Sequence, residues 1–170
     1  MKRLTALATL FAAASLASAG PGPADAPKPP SRLDALKALT GTWEMKGEGG
    51  QPGPIVAYRV TSAGSAVMET LFQGTEKEMI TMYTMEGEDL VLTHYCAMGN
   101  QPRMKALPSK DAKVIAFEFV GGGNMASRDE MHMDSLTMTF VDATHLRHEW
   151  TMWSEGKVVR TVVLDLAKKA

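Results

Sequence analysis

One cysteine, Cys96, stands in a chain of 170 residues. A single thiol excludes an intrachain disulfide and any paired-cysteine motif, so stability must come from an apolar core. Neither sign of charge is in excess, with 18 Lys and Arg against 19 Asp and Glu. That balance supplies no electrostatic drive toward nucleic acid or an anionic membrane surface. No segment approaches the roughly 20 apolar residues that span a bilayer. The H-E-x-x-H pattern and the nucleophile elbow are also missing. Gly121-Gly122-Gly123-Asn124 lacks the Lys-Ser/Thr that completes a phosphate loop and reads as a mobile loop. With no acid–base constellation in view, the chain leans away from an enzyme, and no catalytic residue is named.

What is present begins with an export signal. Lys2 and Arg3 precede an apolar stretch from Leu4 to Leu16, and Ala17-Ser18-Ala19 supplies an A-x-A cleavage site. Residues 1–19 are therefore expected to be a signal peptide, and the protein to be exported, periplasmic or secreted. No Cys follows the stretch, which argues against a lipid anchor, and no membrane insertion is expected after cleavage. Residues 20–31 form a linker punctuated by Pro21, Pro23, Pro27, Pro29 and Pro30, with little to bury. Residues 32–170 are left as one domain, large enough to bury a core.

That domain opens on a short helix. Ser31 offers an N-cap with Asp34 three residues on, Leu33, Leu36 and Leu39 form one stripe, and Gly41 ends the pattern. So short a helix must pack on something larger. Period-two alternation takes over from Thr42. Segments near Ile55–Thr61, Ala66–Gln73, Glu78–Met85, Leu90–Cys96, Arg103–Leu107, Val114–Val120, Leu136–Phe140, His145–Trp153 and Val158–Leu166 each read as a strand. Gly99-Asn100-Gln101-Pro102 breaks the run. The predicted fold class is all-β: about ten antiparallel strands in a meander that removes its edges by closing into a barrel, with the helix as a plug.

Leu39-Thr40-Gly41-Thr42-Trp43, after a plug helix and before a meander, resembles the calycin superfamily of lipocalins, fatty-acid-binding proteins and nitrobindin-like haem barrels. The stretch from Thr93 to Met104 is similar to a family of uncharacterised exported bacterial proteins with a lipocalin-like fold. The resemblance spans roughly Leu33 to Leu166 and implies a barrel without assigning an activity. It implies that Gly41 and Trp43 close the barrel floor. It also implies that an Arg from the far end of the chain packs on Trp43, and Arg160 is the candidate.

Candidate ligand-binding residues come from the strand faces. His94 and Cys96 share a face with Leu90 and Leu92, and His148 and Trp150 share one with Leu146 and Met152. If both faces point inward, the imidazoles sit in an apolar interior with Tyr83 and Met138. There they serve either as core histidines or as ligands to haem or a metal. No cofactor is assigned. Haem-binding relatives carry their axial His in a His-Leu context; His145-Leu146 is similar, although a full strand follows it. Met131-His132-Met133 and the spaced Met79, Met82 and Met85 raise Cu(I), although Met82 faces away from the other two. Asn100, Gln101 and Arg103 could line a pocket mouth and hold a polar head group. Two functions follow. One is binding of a small apolar or amphipathic ligand in the barrel; the other is an envelope interaction module with a filled barrel and no small ligand.

Overall fold

The computed structural model describes residues 31–47 and 51–170. The expected signal peptide and nearly all of the linker lie outside these residues. Helix α1 (Arg32–Lys37) is followed by ten strands: β1 (Gly41–Lys46), β2 (Pro52–Thr61), β3 (Ala66–Leu71), β4 (Met79–Glu86), β5 (Asp89–Tyr95), β6 (Gln101–Ala106), β7 (Val114–Gly123), β8 (His132–Phe140), β9 (His145–Ser154) and β10 (Lys157–Lys168). Each pairs antiparallel with its sequence neighbours, and β1 pairs with β10, so the meander closes into a barrel. The closing seam is short: Trp43 opposes Lys168, Glu44 opposes Ala167 and Met45 opposes Leu166.

The local chemistry explains the elements. Ser31 N–H and Oγ donate to the Asp34 carboxylate at 2.7 and 2.9 Å, and Asp34 N–H donates to the Ser31 carbonyl at 2.9 Å, which together fix the first turn of α1. Leu33, Leu36 and Leu39 are buried, so the predicted stripe is the face that packs on the barrel. Gly41 takes a φ of +124°, which an L side chain rarely adopts, and so turns the chain from the plug into β1. In the last hairpin Glu155 and Gly156 both have positive φ, as a two-residue turn between twisted strands requires.

The inward face is continuous. Val56 and Tyr58, Val67 and Leu71, Tyr83, Leu90 and Leu92, Met104, Ile115 and Phe117, Leu136 and Met138, Leu146 and Trp150, and Leu164 and Leu166 form one buried cluster with the plug leucines and Trp43. Two departures from the sequence reading occur at one place. β6 begins at Gln101, inside the expected break, and Gly121–Gly123 extend β7 as paired strand rather than a free loop. The Gln101–Arg103 segment supplies the pairing partner, and a bulge between Arg103 and Met104 lets both strands bend there.

Trp43 sits between the plug helix and the barrel interior. It is fully buried, its indole N–H donates to the Leu39 carbonyl at 2.7 Å, and its ring meets Tyr58 edge-on at 6.5 Å. The proposed partner is corrected: Lys168, not Arg160, lies over the ring, with Nζ 5.5 Å from its centroid. Register decides this. Antiparallel pairing brings the end of β10 to the start of β1, whereas Arg160 is exposed opposite Met152, roughly 26 Å further along the strand.

Candidate functional site

A charged residue interrupts the apolar inward face. Glu69 lies between Val67 and Leu71 on β3, and alternation points all three into the barrel. Register then extends a polar rung across four strands: Tyr58 pairs with Glu69, Glu69 with Thr81, and Thr81 with His94. The opposite wall contributes His148 and Trp150 from β9. The two walls meet where His148 Nε2 lies 3.0 Å from the Tyr58 hydroxyl and the His94 ring packs at 4.9 Å from Trp150. Every one of these residues is buried, and Glu69, Thr81 and His148 have no exposed surface at all.

Glu69 is the hub. Tyr58 Oη donates to its Oε1 at 2.8 Å and Tyr83 Oη to its Oε2 at 2.7 Å. Among the described residues no Lys or Arg pairs with it, and the only basic group near it is His148, whose Nδ1 lies 3.4 Å from Oε1. Burial pushes the Glu69 carboxyl up to about 7, against the lowering effect of hydrogen bonds from Tyr83, Tyr58 and Thr81. Burial pushes His94 down to about 4 and His148 down to about 3, so both imidazoles are neutral near pH 7 and the His148–Glu69 contact is not an ion pair. Both tyrosines are driven well above their ordinary range, first by burial and then by the Glu69 charge.

Proton counting assigns the His148 tautomer. With Glu69 ionised, Tyr58 gives it its one hydroxyl proton, so His148 Nε2–H donates to the Tyr58 oxygen and Nδ1 is a bare acceptor. Thr81 Oγ1 lies 2.9 Å from His94 Nδ1, and His94 Nε2 has no partner. Three buried polar atoms of the layer therefore have no hydrogen-bond partner: His94 Nε2, His148 Nδ1 and Trp150 Nε1. Buried polar groups are nearly always satisfied, so three in one layer are unusual.

Of the residues singled out from sequence, His94, Tyr83, Met138, His148 and Trp150 come together in this interior. The others do not join them. Asn100 is buried as a structural tie, donating from Nδ2 to the Met131 carbonyl at 2.8 Å. Cys96 is half-buried in the turn after β5, where burial pushes its thiol up. Gln101 and Arg103 point outward, because β6 turns Pro102 and Met104 inward instead; Arg103 pairs with Glu86. These two line an outer groove of about 460 Å³ with Thr93, Tyr95 and Val120. A second groove, of about 960 Å³, lies along the β1–β10 seam over Met45, Leu146 and Leu166. Neither groove is lined by the polar layer.

Sequence reasoning missed Glu69, Tyr58 and Thr81. The signal was there in alternation: each sits between apolar residues two positions away, and a Glu flanked that way is rarely buried without a purpose.

Metal and haem can be tested on the side chains. No group of three or more His, Cys, Asp or Glu converges among the described residues. His132 uses both ring nitrogens, Nδ1 on the Glu130 carbonyl and Nε2 on Arg128, so the Met131-His132-Met133 segment offers no free imidazole to copper. His94 and His148 are covered by Trp150 and Tyr58, leaving no slot at either imidazole for a flat macrocycle, so the residues do not fit haem. No family model matches the chain, and no curated protein matches it.

Proposed function

We propose that this protein binds a small amphipathic molecule inside its calycin-like barrel, with the polar end at the Glu69 layer and the apolar part among Tyr83, Phe117, Leu136 and Met138. The observation that carries this reading is the set of unpaired atoms. His94 Nε2, His148 Nδ1 and Trp150 Nε1 lie in one buried layer beside a carboxyl that has no cationic partner. An unmet donor or acceptor costs about 1–3 kcal/mol, so a fold that keeps three of them retains them for something that completes the layer. The rest of the interior is apolar, as small-molecule sites are around a few placed polar groups.

Native mass spectrometry of the protein purified from its own host tests this. A bound small molecule lost in Glu69→Gln supports the reading. That substitution keeps the size of the side chain and removes the carboxylate at the hub of the layer. Complete absence of any adduct, together with unchanged thermal stability across a panel of small amphiphiles, counts against it.

One observation favours the second reading, a filled barrel acting through its surface. Tyr83, His94, Met138 and Trp150 are each at most 2% exposed. In that case the same panel leaves the protein unchanged, and the outer groove beside Tyr95 and Arg103 becomes the surface to probe.

A further inference from the structure

The ligand class of the barrel site can be narrowed from its proton inventory, and this step rests on the small-molecule reading above. Glu69 Oε1 and His148 Nδ1 face one another at 3.4 Å, and proton counting leaves both as acceptors when Glu69 is ionised. Two lone pairs at that separation repel unless a donor lies between them. His94 Nε2 is another buried ring nitrogen of the layer without a partner. With Glu69 ionised, the layer as a whole carries one negative charge. The groups facing Glu69 are neutral on every element packed against it: Tyr58 from β2, Thr81 and Tyr83 from β4 and His148 from β9.

We propose that the ligand is a small organic ammonium ion, whose charge compensates Glu69 and whose N–H groups donate to Glu69 and His148. An alkylammonium head has N–H donors and no acceptor, which matches the facing Glu69 and His148 acceptors; Trp150 Nε1–H is itself a donor and is not met by the head group. A carboxylate or phosphate would meet a like charge and a lone pair, and an alcohol would satisfy one acceptor and leave the charge unmatched. Without ligand, the compensating charge is a proton on Glu69, whose carboxyl stands near 7. Binding releases that proton to solvent as the ammonium takes its place.

Hexylammonium, hexanol and hexanoate share a tail and differ only at the head, so titration calorimetry with the three separates the ideas. Hexylammonium is expected to bind at least tenfold more tightly than either analogue. Its affinity should rise several-fold from pH 6 to pH 7.5, with proton release seen as a dependence on buffer ionisation enthalpy. Glu69→Gln should remove the head-group preference, with folding checked by circular dichroism. Equal or tighter binding of hexanol or hexanoate overturns the ammonium assignment and leaves the barrel site standing. Failure of all three to bind, or to shift the unfolding temperature, overturns the site and the ammonium together.

Discussion

The indole N–H of Trp43 donates to the carbonyl of Leu39 at 2.7 Å, so β1 and the plug helix are held by one hydrogen bond between a strand and the turn before it. Leu39 cannot use that carbonyl within the helix, which has ended, and Trp43 has no other partner for its only polar atom. Trp43→Phe should keep much of the packing and lose the bond, at about 1–2 kcal/mol. Trp43→Ala should cost roughly 3–5 kcal/mol by leaving a cavity under Tyr58 and the plug leucines. Urea unfolding of both variants checks the order; a Phe variant as damaged as the Ala variant would assign the effect to the hydrogen bond alone.

Glu69 makes stability depend on pH in a defined direction. Its folded carboxyl stands near 7, above the ordinary 4.5, so the folded state binds the extra proton between those values. The contribution is fully present below about pH 4.5 and is lost as pH rises through 7. The difference in unfolding free energy between wild type and Glu69→Gln should therefore shift against wild type by about 3 kcal/mol from pH 4.5 to 8. A pH-independent difference would show that Glu69 is ionised throughout.

The two interior histidines act with the opposite sign. Both are depressed below the ordinary imidazole value of 6.5, to about 4 and about 3, so the unfolded chain takes up protons that the folded barrel refuses. Their stability is present above pH 6.5 and lost as pH falls toward those folded values. Two imidazoles outweigh one carboxyl, so the protein should lose stability on acidification below about 6.5. His148→Gln should remove up to about 1.4 kcal/mol per pH unit from that slope. Chemical denaturation at pH 7, 6, 5 and 4.5 gives the two slopes directly.

Arg128 holds the segment between β7 and β8. Its guanidinium stacks on Phe119 and Trp153, at 4.5 and 4.3 Å from their centroids, and it bonds His132 Nε2 and Asp134. Inter-strand pairing of β7 with β8 stops at Glu118 and Ser135, so this cluster fills the place where the two strands part. Arg128→Ala should cost only about 1 kcal/mol globally, because the side chain is substantially exposed. It should nevertheless speed amide exchange across residues 124–131 at least tenfold while leaving β9 and β10 protected. Unchanged exchange there would remove Arg128 as the anchor of this segment.

Much of the architecture was readable from residue order. Leu136, Met138 and Phe140 against Thr137 and Thr139 announced β8, and Ser154 to Lys157 announced the last turn, because period-two alternation and turn chemistry are local. The extension of β7 through Gly121–Gly123 was not readable, since three glycines carry no alternation and only the Gln101–Arg103 partner makes them strand. The interior placement of His94, His148 and Trp150 followed from faces alone. Their connection through Glu69 did not, because it depends on which residue of β3 falls opposite Tyr58 and Thr81.

Residue order therefore determined most of the strands, the plug and which face of each strand is apolar, since each of these follows from sterics and patterning within a few residues. Tertiary structure alone decided the partners. Inter-strand register placed Lys168 rather than Arg160 over Trp43, turned Gln101 and Arg103 outward, and joined Tyr58, Glu69, Thr81 and His94 in one rung facing His148 and Trp150. Register is set by closure of the whole barrel, and a shift of two residues on any strand would keep every apolar face inward while dismantling that layer.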